Sequence, residues 1–132
     1  MARVFALKDA KNQSLPGRQS RQILAAASGA MSSTLRFVEI EPQEPGAARR
    51  GPHVHFDFEE CIHVLTGQGV TCTDKGEFPV TAGDTILIPA KERHVTYNTG
   101  ATTLTLLCFF PTNDVGSGTM EYDSWESSDG SR

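Results

Sequence analysis

The sequence lacks the features that mark membrane, nucleic-acid-binding and secreted proteins. No apolar run approaches the roughly 20 residues that a membrane-spanning helix needs, so we expect no membrane partner. The longest basic run is the pair Arg49-Arg50 and the net charge is −4, which argues against binding to nucleic-acid phosphates. The apolar stretch at the N-terminus ends at Lys8 and Asp9, which is too short for a secretory signal. These absences together favour a cytoplasmic protein.

Cysteine is also scarce. The 132 residues include three cysteines, Cys61, Cys72 and Cys108, an odd number set in apolar or strand-like surroundings. Such cysteines are typical of reduced packing residues and not of a disulfide framework. The length suits one domain with its own core.

Short β-rich runs separated by turn residues make up most of the chain. Each run is three to nine residues of mainly apolar and β-branched residues followed by Gly, Pro, Asn or Asp, and Asp74-Lys75-Gly76 predicts a hairpin turn. The segment Ile23–Ala27 suits a strand or a helical turn equally. Many short strands of this kind predict an all-β sandwich or barrel. The predicted strands are 35–40, 61–65, 70–73, 85–88, 95–97 and 102–110.

Three of the four histidines form a pattern with one glutamate. His53 and His55 are two residues apart, so on a strand their side chains share one face. Glu60 follows after a short bend, and His94 comes from a distant strand. Three imidazoles and a carboxylate suit a divalent transition metal that keeps open positions. A single His-x-His pair also arises by chance on surface strands. The spacing of the residues around the pair therefore has to distinguish a metal site from a chance pair.

That wider spacing resembles the two motifs of the cupin superfamily, in particular its small single-domain members. The first motif matches from the histidines onward, and the second matches at every anchor except one: His53-x-His55-x4-Glu60-x6-Gly67, then Gly83-x5-Pro89-x-Lys91-x2-His94-x3-Asn98. The leading glycine of the first motif falls on Ala47, beside Gly46. In the second motif Lys91 replaces a glycine, which asks a lysine to hold a tight turn at positive φ.

The resemblance implies a cupin double-stranded β-helix, a jelly-roll barrel, with a metal inside near one mouth. It implies His53, His55, Glu60 and His94 as the ligands. Glu59 is a weaker alternative to Glu60, because with Glu59 as the ligand Gly67 lies one residue away from the position that the motif requires. Iron, manganese or nickel are favoured, and zinc, cobalt or copper also accept this set. The expected organisation is an N-terminal arm over residues 1–20, a barrel over 21–115 and a tail over 116–132 that packs on the barrel mouth. A homodimer is expected, with the arm crossing to the partner.

The alternation of side chains along a strand predicts which neighbours of Glu60 point into the cavity. Ile62 and Val64 share its face and should line the cavity, whereas His63 should point away. The C-terminal segments around 109–112 and 120–122 look similar to those of small cupins that include dimethylsulfoniopropionate lyases. That resemblance makes Tyr122, which matches the C-terminal tyrosine of those lyases, a catalytic candidate. Their other tyrosine, two residues after the ligand Glu, falls on Ile62, which argues against lyase activity of that kind.

Four basic residues are candidates for binding a carboxylate at the mouth: Arg36, Arg49, Lys91 and Arg93. The competing interpretation is that they are solvated loop charges.

The resemblance to cupins predicts a metal-dependent enzyme, a dioxygenase or a non-redox lyase or isomerase, acting on a small oxygenated molecule. The alternative is a non-catalytic cupin that binds a small molecule. Few proton carriers stand near the ligands, which favours redox or Lewis-acid chemistry over proton transfer.

Overall fold

Two antiparallel sheets of six strands each form the molecule. A computed structural model of the chain describes residues 1–15, 17–128 and 130–131. The first sheet has the order β1-β2-β3-β10-β5-β8 and the second β12-β11-β4-β9-β6-β7. The strands are β1 Lys11–Leu15, β2 Arg18–Leu24, β3 Thr34–Ile40, β4 His53–His55, β5 Glu60–Thr66, β6 Gln68–Thr73, β7 Gly76–Thr81, β8 Thr85–Ile88, β9 His94–Asn98, β10 Leu104–Phe110, β11 Thr119–Tyr122 and β12 Gly130–Ser131.

Helix is confined, in the part of the chain described, to three short 3-10 turns at Leu7–Asp9, Ala26–Ser28 and Gly116–Gly118. The all-β jelly-roll prediction is confirmed. No helix among the described residues has the length and apolarity to cross a membrane.

The core lies between the two sheets because alternate residues of each strand point inward. Along β5, Glu60, Ile62 and Val64 are buried while the residues between them are partly exposed. Along β10, alternate residues from Leu104 to Phe110 are buried in the same way. Since Glu60 shares the inward face with the apolar residues of β5, its carboxyl group is carried into the interior.

Several turns depend on a side-chain hydrogen bond or on a positive φ at one residue. Asn98 closes the loop before β10: its side-chain amide donates to the carbonyl oxygens of Ile40 and Thr102, both at 2.8 Å. Gly67 has φ of 87°, and a Cβ there would lie 2.7 Å from the carbonyl oxygen of Thr103. Lys91, with φ of 73°, is the non-glycine residue with positive φ among those described, as the motif comparison predicts.

Several elements differ from the sequence prediction. The strand β7 is not among the predicted strands. Its Pro79 lacks an amide donor, and β7 lies at the edge of its sheet, where that donor is not needed. Within the segment 1–20, for which an N-terminal arm is predicted, the described residues include β1 and the start of β2, which form a hairpin on the first sheet. Short polar strands such as β1 carry little apolar signal, so their pairing depends on the sheet beside them. The ambiguous segment 23–27 ends β2 and begins the second 3-10 turn.

Candidate metal centre and cavity

Three strands and both sheets contribute to one cluster of four side chains. His53 and His55 lie on β4, and His94 opens β9 and is the direct partner of His53 across the ladder. Glu60 opens β5 in the opposite sheet. The four side chains each direct one ligand atom to a common point, and these atoms lie within 4.8 Å of one another. The tertiary structure thus brings together all four residues that the motifs indicate.

The contacts within the cluster centre on one carboxylate oxygen. Glu60 Oε1 lies 3.2 Å from His55 Nε2 and 2.9 Å from His94 Nε2. Side-chain exposure is 4% for His55, 2% for His94 and 5% for Glu60, so water screens these contacts little. The ring of His53 is 4.2 Å from that of His94, centroid to centroid.

Hydrogen bonds behind the two buried imidazoles fix their tautomers. His94 Nδ1–H donates to the carbonyl oxygen of Glu92 at 2.9 Å, since a carbonyl can only accept. The Thr119 hydroxyl donates to the carbonyl oxygen of Val115 at 2.7 Å, which leaves its oxygen to accept from His55 Nδ1–H at 2.8 Å. Both Nε2 atoms therefore present a lone pair to the Glu60 carboxylate.

Lone pairs facing a carboxylate at about 3 Å require a positive charge between them, supplied by a proton or a metal ion. Burial raises the pKa of Glu60, but its contacts with His55 and His94 outweigh burial and hold that pKa well below its ordinary value. Burial, then the neighbouring His94, lowers the pKa of His53 well below its ordinary value.

The cluster therefore combines three imidazoles with one carboxylate, and a metal ion between them would supply the positive charge that these contacts require. His53 Nδ1 adds to this picture, because it is buried and has no hydrogen-bond partner within the protein. Three imidazole nitrogens and one carboxylate oxygen are ligands that divalent transition metals accept, so the cluster could bind such an ion.

A cavity of about 280 Å³ adjoins the four ligands. Its apolar walls include Ile62, Leu106 and Phe110, whereas its polar lining includes Thr96 and Glu121. The volume falls just below the range typical of sites for drug-sized ligands. The cavity therefore has room for a small molecule beside the cluster.

The other residues that strand parity concerns lie in three different environments. Ile62 lines the cavity as parity indicates. Val64 has the same parity but is fully buried among core side chains, and it is not one of the described residues around the cavity. It lies further along β5 than Ile62, at a level where apolar side chains fill the interior. His63 points to the outer face, where its ring contacts Thr85 Oγ1 at 2.8 Å.

Tyr122 lies away from the cavity lining that the structure describes. Its ring stacks on the Arg93 guanidinium, with 3.8 Å between that group and the ring centroid. Its neighbour Glu121 lines the cavity instead, because consecutive residues of β11 face opposite sides. Among the described residues, Tyr122 thus contacts Arg93 outside the cavity lining, and Arg93 also donates to the carbonyl oxygens of Trp125 and Ser127.

Sequence reasoning missed several polar residues of the cavity. Thr119, Cys108, Arg18 and Arg50 all line it, beside Arg36, which the sequence indicates as a candidate for binding a carboxylate. Burial, followed by the charge of Glu60 and a hydrogen bond to it, holds the pKa of Cys108 well above its ordinary value, so Cys108 is a thiol. The parity of Arg36 with three buried residues of β3, namely Thr34, Val38 and Ile40, was the available signal for an inward arginine.

Comparison with known proteins agrees with the geometry. The family model described as a cupin domain matches residues 37–110. An uncharacterized protein of Methanocaldococcus jannaschii, MJ1618, is 41% identical over 56 residues, which are 42% of this chain and 45% of that protein. The match thus spans less than half of this relative's length.

Solved structures share the fold at low sequence identity. The nucleoside dehydratase Pac13 of Streptomyces gives a TM-score of 0.77 at 13% identity, covering 100% of both chains. The polyketide cyclase RemF from Streptomyces resistomycificus gives 0.68 at 24% identity, covering 84% of this chain and 80% of RemF. Oxalate decarboxylase of Lactobacillus farciminis gives 0.73 at 21% identity, covering 86% of this chain and 34% of the enzyme. At these identities the likeness concerns the fold.

Proposed function

This chain belongs to the cupin family, and on that premise we propose that it is a metal-dependent enzyme acting on a small oxygenated molecule. The observation that supports the proposal is the position of the four ligand atoms at the wall of a cavity with room for such a molecule. His53, His55, Glu60 and His94 would hold the ion. When bound, a divalent transition metal supplies Lewis acidity toward carbonyl and hydroxyl oxygens, and a redox-active one also supplies electrons for oxygen chemistry.

The residues of the chain supply binding and shielding more than proton transfer. Ile62, Leu106 and Phe110 exclude water from one side of the cavity. Outside the four ligands and the arginines, the titratable groups among the described lining residues are Cys108 and Glu121. Cys108 holds its proton, and Glu121 is paired with Arg50 at 2.6 Å. A cavity without an available general base supports a dioxygenase, or a lyase or isomerase that depends on the metal as Lewis acid.

The same shortage of proton carriers supports one alternative, a cupin that binds a small molecule without converting it. We also place the chain in the cytoplasm, where the free thiols of its three cysteines stay reduced.

Metal content and turnover test the proposal together. Tag-free protein purified without chelators should contain close to one equivalent of iron, manganese or nickel by inductively coupled plasma mass spectrometry. Glu60→Gln should reduce that content, and a variant with both His53→Ala and His94→Ala should abolish it while the far-ultraviolet circular dichroism spectrum is kept. His63→Ala, which removes the histidine on the outer face, should retain the metal.

Loaded protein is then incubated with 2-oxo acids, β-diketones and ortho-diphenols, with oxygen uptake and product formation followed. Consumption of any of these that disappears in the double variant supports the enzyme. Stoichiometric metal with a bound but unchanged small molecule would replace the enzyme by the binding protein. Full metal content in the double variant would show the ligand assignment to be wrong.

A further inference from the structure

Three arginines line the same cavity as the four ligands. Arg18 comes from β2, Arg36 from β3, and Arg50 from the segment before β4. The side chain of Arg50 is 8% exposed, and the Nε atom of each arginine is buried. Charged side chains are placed in protein interiors only where something compensates them.

Each guanidinium is only partly satisfied by the protein. One terminal nitrogen of each donates to a protein oxygen: Arg18 to the Thr96 carbonyl at 2.9 Å, Arg36 to Gln22 Oε1 at 3.4 Å and Arg50 to Glu121 Oε1 at 2.6 Å. The Nε–H groups have no partner. Among the described residues, these three atoms and His53 Nδ1 make up the buried side-chain nitrogen and oxygen atoms left without one. All four belong to residues lining this cavity, so the unmet donors are concentrated where a ligand would lie.

The charges in the cavity point to an anion. Three guanidiniums face the carboxylates of Glu60 and Glu121, which leaves an excess of positive charge before any metal binds. Burial lowers the pKa of Arg18 to about 10, and the nearby charge of Arg50 acts in the same direction. Burial also lowers the pKa of Arg36. These groups stay protonated at neutral pH, so a bound anion would both relieve their repulsion and accept from the unmet N–H groups.

The arginines lie close to the four ligands, and this proximity restricts the kind of molecule that can carry the anion. Arg36 pairs across the ladder with Cys108, which pairs with Ile62, two residues beyond the ligand Glu60. A cavity of about 280 Å³ encloses both groups, so one small molecule can reach both. We propose that Arg18, Arg36 and Arg50 bind a carboxylate of the substrate, which makes the substrate a small carboxylic acid whose second oxygen function faces the four ligands. The second half of this inference rests on the proposed function, whereas the carboxylate subsite does not.

Calorimetry with acid and amide pairs tests the subsite without presupposing the substrate. Pyruvate, lactate and malonate are titrated into metal-loaded and into chelator-treated protein, each beside its primary amide, with inorganic phosphate as a further probe. Charge-assisted hydrogen bonds predict that at least one acid binds about 10-fold or more tightly than its amide. Arg36→Gln and Arg18→Gln should each weaken that acid about 10- to 100-fold and leave metal content unchanged.

Arg21→Gln is the matched control. It also removes an arginine from β2, but Arg21 pairs with Glu39 at 2.9 Å and stacks on Phe37, and it does not line the cavity as described. Its affinity for the acid should equal that of the wild type.

Three results would overturn the inference: equal affinity for acids and amides, undiminished affinity in both cavity variants, or tighter binding of phosphate than of every acid. Preference for an acid in the chelator-treated protein supports the subsite even if no turnover is found. Metal and turnover without any such preference would leave the enzyme proposal standing and remove the carboxylate subsite.

Discussion

Thr119 holds His55 in one tautomer, although the two residues are 64 positions apart in the sequence. The Thr119 hydroxyl donates to the carbonyl oxygen of Val115, so its oxygen accepts from His55 Nδ1–H. The relationship depends on β11 pairing with β4, which places Thr119 directly opposite His55. It explains why the C-terminal strand belongs to the site although the recognised motifs end at Asn98. Groups that orient a ligand in this way affect metal affinity strongly.

Replacing that hydroxyl should weaken metal binding. Thr119→Val keeps the shape of the side chain but leaves His55 Nδ1 without its acceptor, and we expect a loss of about 10- to 100-fold in metal affinity. Competition with a chromogenic chelator measures it. Thr119→Ser should retain most of the affinity, and Thr85→Val, which removes the equivalent partner of His63 on the outer face, should have no effect. Equal losses in Thr119→Val and Thr85→Val would contradict the role of Thr119.

Protonation of His53 should make the metal-free protein sensitive to mild acid. Burial lowers the pKa of His53 in the folded state, while in the unfolded chain it titrates near its ordinary value of 6.5. Below about pH 6.5 the unfolded state therefore binds more protons, so the free energy of unfolding decreases as the pH falls and is restored as it rises.

Urea unfolding of chelator-treated protein at several pH values between about 7.5 and 5 measures this dependence. His53→Gln should reduce the slope, and His63→Gln serves as the control for removing one histidine. An unchanged slope in His53→Gln would show that other groups cause the acid sensitivity.

Lys91 stores backbone strain that glycine would relieve. Its φ of 73° costs a residue with a Cβ about 1–2 kcal/mol, and glycine avoids that cost at the expense of a more flexible unfolded chain. We expect Lys91→Gly to raise the free energy of unfolding by about 0.5–1 kcal/mol and to keep the Lys91 N–H bond to the His55 carbonyl. Lys75→Gly, in the turn after β6, has no such strain to relieve and should not stabilise. Thermal and urea unfolding of both variants decide the matter, and a destabilised Lys91→Gly variant would contradict the prediction.

We propose that the homodimer expected from the family resemblance uses the outer face of the first sheet. Leu35, Phe109, Cys61 and Leu87 lie opposite one another across four strands, with Phe109 40% and Leu87 56% exposed. An apolar row of this kind on both copies suits a two-fold interface. Sedimentation velocity should show a dimer that Phe109→Lys dissociates.

Phe78→Lys is the control for that experiment, since Phe78 is similarly exposed, at 43%, on β7 of the other sheet. A monomeric wild type at micromolar concentration, or a dimer that both variants dissociate equally, would refute the interface.

The sequence determined the fold class through its short, turn-separated strands, and it indicated the four-residue cluster through its resemblance to the two cupin motifs. A period of two assigns Glu60 and Ile62 to one face, and the motif spacing selects Glu60 over Glu59. Even the strained turn at Lys91 could be predicted, since a tight turn requires its backbone conformation whatever residue stands there.

Only the tertiary structure decided which distant side chains share the cavity. The pairing of β2 with β3 brings Arg18 inside, and the pairing of β11 with β4 brings in Thr119 and Glu121 while turning Tyr122 outward. Both pairings join separate segments of the chain through backbone hydrogen bonds, which carry no residue-specific signal, and β11 and β4 are far apart in sequence. Whether a polar residue on a strand meets water or the interior is therefore set by the neighbouring strands, and not by the residue itself.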